Sequence, residues 1–355
     1  MYSGAQASRP RLALLGRSLR ARIDSAIAVG VFLTLALTFG EVSRAAQTAQ
    51  VYAPAYYTGT QDRPPQLVIF PPGRPEVVVP LPVPSLLRAT AFASDGRTLF
   101  ATVDVVASPR TAERPARLGA PRLLRIDLAP VRVTTVADLK GIDWVAGMLV
   151  SPDLAHVFLK VAGWKGSPQC DLFEISASGG ELKMLVPRYG CQTTGLSPDG
   201  RKRIVEKGGG LEVTDLETGA AALIGNGFAQ GTWSSDGKWI AAVEVDPRGG
   251  SRPSADVVIS ADDFSIRRRI QPHGGLGTWS PDSRYMLSSE WSPRCPGHNV
   301  LDPGPTPISF FSVDIETGTR SLVKDSYCKV DAYFKPGWVS LDVIEQYRAS
   351  GARLP

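Results

Sequence analysis

The sequence predicts an all-β protein, a propeller of six four-stranded antiparallel blades preceded by an N-terminal signal or anchor helix. Three observations support this fold class. Of the 355 residues, 35 are Gly and 29 are Pro, which is typical of many short strands joined by turns. A short turn motif recurs at a mean spacing of about 47 residues. An uncharged apolar run near the N-terminus follows a cluster of Arg.

The N-terminal segment, residues 1–45, has the features of an export signal. Six Arg against two acidic residues give it a charge of +4, which is most of the net charge of +5. Its apolar run at 25–40 has 16 residues, long for a signal peptide and short of the roughly 20 that cross a bilayer. Ser43 and Ala45 fit a cleavage site after Ala45, so a cleaved signal and an uncleaved inner-membrane anchor both remain open. In either case we expect the rest of the chain to be exported, to the periplasm or the cell surface.

Five copies of a turn motif organise residues 66–347, the predicted propeller. Each copy has an aromatic or aliphatic residue, Ser, Pro or a small residue, Asp, and Gly or a substitute, and the Asp positions are Asp95, Asp153, Asp199, Asp236 and Asp282. Asp-Gly forms the tight turn of a hairpin, because Gly accepts a positive φ and the Asp side chain caps the turn. Residues 46–65, rich in Tyr, Ala and Pro, are predicted to be a linker.

A second pattern predicts the outer two strands of each blade. Strand-like runs at 123–128, 171–176, 211–219, 256–264 and 308–318 are each followed by another short run. A sixth copy at 66–81 has no preceding turn motif, and its inner hairpin is predicted at 332–344. Pairing of N-terminal and C-terminal strands would close the ring and remove the open sheet edges that favour aggregation.

The repeat resembles the WD40-like repeat of TolB-type six-bladed propellers. The resemblance rests on Leu196-Ser-Pro-Asp-Gly200, Trp233-Ser-Ser-Asp-Gly237 and Trp279-Ser-Pro-Asp282, each of which precedes a strand-like run. Leu154 and Ser283 replace the turn Gly in two copies. The resemblance covers nearly all of residues 66–344 and implies a fold more than an activity, because propellers have many functions.

The four cysteines are an even number, which agrees with export to an oxidising compartment. Cys170 and Cys191 flank one predicted outer hairpin, and Cys295 and Cys328 flank another. We therefore predict the disulfides Cys170–Cys191 and Cys295–Cys328, with free buried thiols as the alternative. Neither the Cys nor the His residues have the spacing of metal ligands, so we expect no metal site and no cofactor.

The candidate ligand-binding residues lie where the innermost strands are predicted to begin, on the face opposite the Asp-Gly turns. These segments present Arg88, Asp143, Trp144, Gln192, Gln230, His273 and Asp331. They are predicted to line the mouth of the central channel, where propellers most often bind ligands. The alternative is that they are ordinary loop residues.

The sequence favours an exported, monomeric binding or scaffolding protein of the cell envelope, which recognises a protein or small molecule at the channel mouth. A propeller-type enzyme, a lactonase or lyase, is the alternative, and Asp143, His273 and Asp331 would be its candidate site residues. A third alternative is an envelope sensor whose Arg-rich tail stays in the cytoplasm. Outside residues 1–45 the charge is only about +1, which argues against nucleic-acid binding. We expect membrane contact only through the N-terminal segment, and the sequence identifies no catalytic residue.

Overall fold

The computed structural model describes these parts of the chain: 52–60, 63–83, 87–104, 106–108, 117–118, 120–162, 169–190, 193–246, 252–271, 276–291, 308–327 and 335–349. The predicted signal or anchor helix lies outside these residues. Within them, no helix has the length and apolar character needed to cross a membrane.

The described residues form 26 strands and one helix. In chain order they are β1 (Tyr52–Thr60), β2 (Arg63–Ile69), β3 (Val77–Pro80), β4 (Leu87–Phe92), β5 (Thr98–Val103), β6 (Val106–Ser108), β7 (Arg117–Leu118), β8 (Arg122–Leu128), β9 (Val131–Asp138), β10 (Trp144–Val150), β11 (His156–Ala162), β12 (Cys170–Ser176), β13 (Lys183–Val186), β14 (Thr193–Leu196), β15 (Lys202–Lys207), β16 (Gly210–Asp215), β17 (Ala221–Asn226), β18 (Phe228–Trp233), β19 (Trp239–Asp246), β20 (Arg252–Ser260), β21 (Ile266–Ile270), β22 (Leu276–Trp279), β23 (Tyr285–Trp291), β24 (Ile308–Asp314), β25 (Arg320–Tyr327), β26 (Lys335–Ser340) and α1 (Leu341–Ala349).

Six four-stranded antiparallel sheets form the blades of a propeller, which confirms the predicted fold class. From the innermost strand outward they are blade 1 (β26-β1-β2-β3), blade 2 (β4-β5-β8-β9), blade 3 (β10-β11-β12-β13), blade 4 (β14-β15-β16-β17), blade 5 (β18-β19-β20-β21) and blade 6 (β22-β23-β24-β25). The short hairpin β6-β7 is inserted between the second and third strands of blade 2.

Blade 1 differs from the prediction in how the two ends of the chain share it. The C-terminal region contributes one strand, β26, and not a hairpin, because the chain turns into helix α1 directly after Ser340. The second strand is β1, which pairs with β26 on one side and β2 on the other. Much of the predicted linker 46–65 is therefore a strand of the propeller. The physical reason is burial, since Ala53 and Ala55 are small enough to pack fully inside blade 1.

The core consists of apolar clusters between neighbouring blades, one cluster at each of the six interfaces. Alternation along a strand decides which interface a side chain joins, because successive residues point to opposite faces of a sheet. In β11, Val157, Leu159 and Val161 pack toward blade 2, whereas Phe158 packs toward blade 4. Every blade therefore packs on both of its faces, and its packing depends on both neighbouring blades.

The Ser and Asp of the repeat explain the sharp turn between the first two strands of a blade. In blades 3 to 6 the Ser hydroxyl donates to the Asp carboxylate two residues later, at 2.5–2.7 Å. The same oxygen accepts the N–H of the residue five positions on, at 2.8–2.9 Å. Blade 2 has Ala93 in place of the Ser, and there Thr98 supplies the hydroxyl, which donates to Asp95 at 2.8 Å.

Departures from the repeat keep its geometry. Leu154 and Ser283 occupy the position of the turn Gly with φ of 59° each, so the left-handed conformation persists without Gly. Where Ser stands at the Pro position, it links two blades. The Ser94 hydroxyl donates to the Pro152 carbonyl oxygen at 2.8 Å, and the Ser235 hydroxyl donates to the Ser280 carbonyl oxygen at 2.9 Å. These bonds tie together the face that carries the turns, which we call the turn face.

Candidate functional site

A central cavity opens on the turn face, at the ends of the innermost strands. It measures about 190 Å³ and is lined by residues of all six blades. Aromatic and aliphatic side chains form much of its wall, among them Phe92, Met148, Trp233, Trp279 and Trp338. No lining residue is charged, so the cavity favours an uncharged group.

Three tryptophans occupy neighbouring blades around this cavity, and two of them bond to the preceding blade. The Trp338 Nε1–H donates to the Thr278 carbonyl oxygen at 2.9 Å, and the Trp279 Nε1–H donates to the Thr232 carbonyl oxygen at 3.4 Å. Trp233 is only 8% exposed, and its Nε1 has no hydrogen-bond partner among the described residues. A buried N–H without a partner is uncommon and costly.

A larger groove of about 810 Å³ lies beside the central cavity on the same face. The turns of blades 3, 4 and 5 form it, together with side chains of β11 and β12. His156 and Phe158 lie on its blade 3 side, where their rings stack with centroids 6.4 Å apart. The His156 Nδ1 lies 2.8 Å from the Glu174 carboxylate. The groove is therefore polar and open, in contrast to the uncharged cavity.

Carboxylates outnumber cations in the groove. Asp153, Glu174, Asp199 and Asp236 line it, against Arg201 and Lys202, and the Lys238 ammonium lies 3.5 Å from Asp236. The Ser151 hydroxyl and the Ala155 N–H hold the pKa of Asp153 below its ordinary value. Burial pushes the pKa of Asp236 upward, but hydrogen bonds from the Ser234 hydroxyl and the Lys238 N–H outweigh burial and lower it overall. The carboxylates of Asp153 and Asp236 are therefore ionised at neutral pH.

Comparison with solved structures identifies proteins that share this fold. TolB from Acinetobacter baumannii superposes with a TM-score of 0.53 at 18% identity, over 81% of this chain and 66% of the TolB chain. A chain of the nidogen/laminin complex gives 0.52 at 8% identity, over 81% and 98% of the two chains. A putative TolB from Agrobacterium tumefaciens gives 0.47 at 15% identity, over 81% and 98%. No protein-family profile matches the sequence, and neither does any curated protein.

This chain has a TolB-like six-bladed propeller fold. The likeness concerns the fold alone, because the identities are low, and the chain spans about two thirds of the length of the Acinetobacter TolB. The TolB-like arrangement agrees with the resemblance of the turn motifs, since those motifs form the turn face described above.

Four of the predicted site residues of this TolB-like propeller are described. Arg88 is half-buried and donates from Nε to Asp104 at 2.5 Å. Asp143 and Trp144 are exposed where blade 3 begins, Trp144 to 56%. Gln230 is exposed with φ of 54°, and its N–H donates to Glu206 of blade 4 at 2.8 Å. Neither the central cavity nor the groove is lined by any of these four, because both lie at the turn face, opposite the starts of the innermost strands.

The remaining predicted residues are described only in part. Gln192, His273 and Asp331 lie outside the described residues, so their place at the channel mouth stays a prediction. Cys170 is fully buried at the start of β12 and is disulfide-bonded. Cys191, Cys295 and Cys328 lie outside the described residues, and the two predicted pairings likewise stay predictions.

Sequence reasoning missed the turn face as a candidate site because its residues had a structural explanation already. The Ser, Pro and Asp of the repeat account for the hairpin turns, so they receive no ligand-binding role from the sequence. No charge pattern in the turns points to the site, because a basic residue directly follows the motif in blades 2, 4, 5 and 6. His156 follows the motif of blade 3, and Arg201 and Lys202 follow that of blade 4; all three line the groove.

Proposed function

We propose that the chain is an exported binding protein of the cell envelope and that its turn face docks a segment of a partner protein. The observation that carries the proposal is the continuity of the two cavities on that face. Pro152, Pro198, Trp233 and Ser235 line both the groove and the central cavity. A segment lying in the groove would therefore reach the centre of the ring.

The ring is suited to such docking because its turn face is held rigidly. Besides the links from Ser94 and Ser235, the Ser340 N–H donates to the Gly96 carbonyl oxygen at 2.7 Å, which ties blade 1 to blade 2. The Asp236 N–H donates to the Ser283 hydroxyl at 2.9 Å, which ties blade 5 to blade 6. A preorganised surface loses little entropy on binding, which favours affinity.

The comparisons support a binding role at the level of the fold. The nidogen/laminin structure is of a complex between proteins, so a propeller-like chain of this shape is found in a protein complex. At identities of 18% and below, neither this likeness nor that to TolB carries a partner over to this chain.

The enzyme alternative gains no support from the described residues. Within them, no group of three His, Cys, Asp or Glu side chains is placed to hold a metal ion. Of the three candidate site residues for an enzyme, only Asp143 is described, and its side chain is exposed at the start of blade 3. A binding role is therefore the function that we carry forward.

Export predicts where the propeller is found in its host. We expect it in the envelope fraction, and we expect Leu33→Arg combined with Leu37→Arg to retain the protein in the cytoplasm, because each Arg in an apolar segment costs about 2.5–3.5 kcal/mol. Cell fractionation measures this. The matched control is Leu33→Ile with Leu37→Ile, which changes the same two positions without adding charge and should leave export intact. Cytoplasmic wild-type protein would contradict export, and N-terminal sequencing distinguishes a cleaved signal, with a start at Ala46, from an anchor.

Docking on the turn face predicts site-specific cross-linking in the native host. A photoreactive amino acid is placed at Pro152 or Lys202, which line the groove and are exposed. We expect both positions to yield an adduct with the same partner. Leu223 and Leu322, exposed to 55% and 57% on outermost strands, are the control positions and should not yield it. Equal yields from all four positions would count against the turn face as the docking surface.

A further inference from the structure

The outermost strands of the six blades have free edges, and one of these edges differs from the rest. A free edge presents backbone groups that can pair with another chain, so proteins usually block it with charged residues or Pro. Five of the outermost strands that the structure describes contain such a residue: Pro80 in β3, Arg132 in β9, Lys183 in β13, Arg267 to Arg269 in β21, and Arg320, Lys324 and Asp325 in β25. The sixth, β17, contains neither a charged residue nor Pro.

The surroundings of β17 are also neutral and exposed. No charged residue occurs from Thr218 to Ser235. Residues 217–223 are exposed, and Leu223 is 55% exposed although it is a large apolar residue. On β16, Glu212 lies opposite Leu223, and the Lys207 ammonium neutralises it at 3.0 Å. A second strand could therefore approach this edge without meeting an unpaired charge.

The backbone of β17 directs two residues outward. The Ala220 carbonyl oxygen accepts the Asp215 N–H at 2.8 Å, so Ala220 faces β16. The direction alternates along an antiparallel strand, so the N–H and C=O groups of Ala221 and Leu223 point away from the sheet. The ladder is regular over these residues, because the extra residue of the bulge in β17 is Ile224. Four backbone groups are thus presented in a regular row.

These four groups are complementary to the same groups on a second copy of the chain. In antiparallel pairing centred on Ala222, Ala221 of each copy lies opposite Leu223 of the other, and each such pair exchanges two hydrogen bonds. All four outward groups of both copies are then satisfied. Each Leu223 side chain lies beside Ala221 of the other copy, and the two Ala222 residues at the centre are small enough for close approach.

We propose that β17 is a dimerisation edge, at which two copies of the chain join their fourth blades into one eight-stranded sheet. Self-pairing suits this edge because the same two-fold contact at the other five would bring like charges or Pro into the ladder. The dimer departs from the monomer that the sequence favours. It is independent of docking on the turn face, because no residue of β17 lines the groove or the central cavity.

Sedimentation of the purified protein provides the first test. One strand pair is a small interface, so we expect a micromolar dissociation constant and a dimer at about 200 µM protein. Ala222→Lys should be monomeric at the same concentration, because two Lys would lie opposite each other at the centre of the contact. The matched control is Ser321→Lys, which changes an equally exposed position on outermost strand β25 and should leave the dimer intact.

A mixture of two charge variants tests the symmetry of the contact and shows that the variants fold. Ala222→Lys and Ala222→Glu should each be monomeric alone, whereas the mixture should form a dimer with one chain of each, because Lys then lies opposite Glu. Ala222→Cys should form an intermolecular disulfide on oxidation, since the two Cα atoms at the centre would be about 4.5 Å apart. Ser321→Cys is the control for this reaction and should not form one.

A wild-type monomer at about 200 µM would overturn the inference. So would a dimer that Ala222→Lys leaves intact, or charge variants that stay monomeric when mixed. A photoreactive amino acid at Leu223 should join two copies of the chain, and an adduct with another protein would instead assign the edge to a strand of that protein. If the dimer forms while Pro152 and Lys202 yield no adduct, only the proposed function is lost.

Discussion

Trp338→Ala is expected to lower the free energy of unfolding by about 3–5 kcal/mol, the usual cost of truncating a buried Trp to Ala. Trp338 is 1% exposed and is among the largest fully buried side chains of the described residues. It belongs to β26, the one strand that the described residues of the C-terminal region contribute to blade 1, and its Nε1–H donates to Thr278 of blade 6. Its ring also lies beside Tyr285 of blade 6, with centroids 6.1 Å apart.

The size of this effect follows from where Trp338 acts. It connects the blade that joins the two ends of the chain to the blade before it, so its loss leaves a cavity at the closure of the ring and a Thr278 carbonyl oxygen without that donor. Urea unfolding followed by circular dichroism measures the change. Trp338→Phe, which keeps an aromatic ring but loses the N–H, should fall between wild type and Trp338→Ala.

Trp144→Ala is the matched control, since it removes the same side chain from a position that is 56% exposed. Its effect is expected to stay within about 0.5 kcal/mol, as for most surface substitutions. If the two Ala variants unfold at similar urea concentrations, Trp338 does not hold the ring closed in the way that its burial indicates. An altered urea dependence would instead show partial opening of the ring.

Most of the fold was predictable because the same turn motif recurs along the chain and forms the same hairpin turn in one blade after another. In blades 3 to 6 the Ser hydroxyl of the turn donates to the Asp carboxylate and accepts the N–H of a following residue, and alternating apolar residues then pack on both neighbouring blades. Even the two copies without Gly could be placed, since Leu154 and Ser283 keep the turn conformation. At these positions the local turn interactions and the packing between blades favour the same structure.

Blade 1 could not be predicted fully because its second strand, β1, does not follow a copy of the turn motif. Residues 52–60 contain three Tyr and two Thr, which favour strand, but also Pro54 and Gly59, which disfavour it. They form β1 by pairing with β26 on one side and with β2 on the other. This pairing joins residues almost 290 positions apart, which no local pattern encodes.

The candidate site was also predictable only in part. Its residues were visible in the sequence as turn residues, but their convergence depends on the ring, which places the turns of blades 3, 4 and 5 around one groove. The absence of charge in the central cavity is likewise a property of six blades together. Sequence patterns identify the parts of such a surface, whereas only the closed ring shows which of them share a cavity.

Gly200→Ala is expected to lower the free energy of unfolding by about 2–5 kcal/mol, because it adds a steric clash to an unfavourable backbone conformation. Gly200 has φ of 73°, and a Cβ there would lie 2.5 Å from the Phe158 ring of blade 3. Phe158 is 5% exposed and packs in the cluster between blades 3 and 4, so its ring has little room to move. Thermal and urea unfolding measure the loss.

Gly219→Ala separates the two causes. Gly219 has the same φ of 73° with nothing within 4 Å of an added Cβ, so its variant should lose only the backbone part, about 1–2 kcal/mol. The turn conformation itself accepts a side chain, as Leu154 and Ser283 demonstrate. The excess in Gly200→Ala should therefore shrink when Phe158→Leu removes the ring, and a double-mutant cycle measures that coupling. Equal losses in the two Gly variants would mean that Phe158 moves aside freely, and the groove wall that it forms would then be soft and not preorganised.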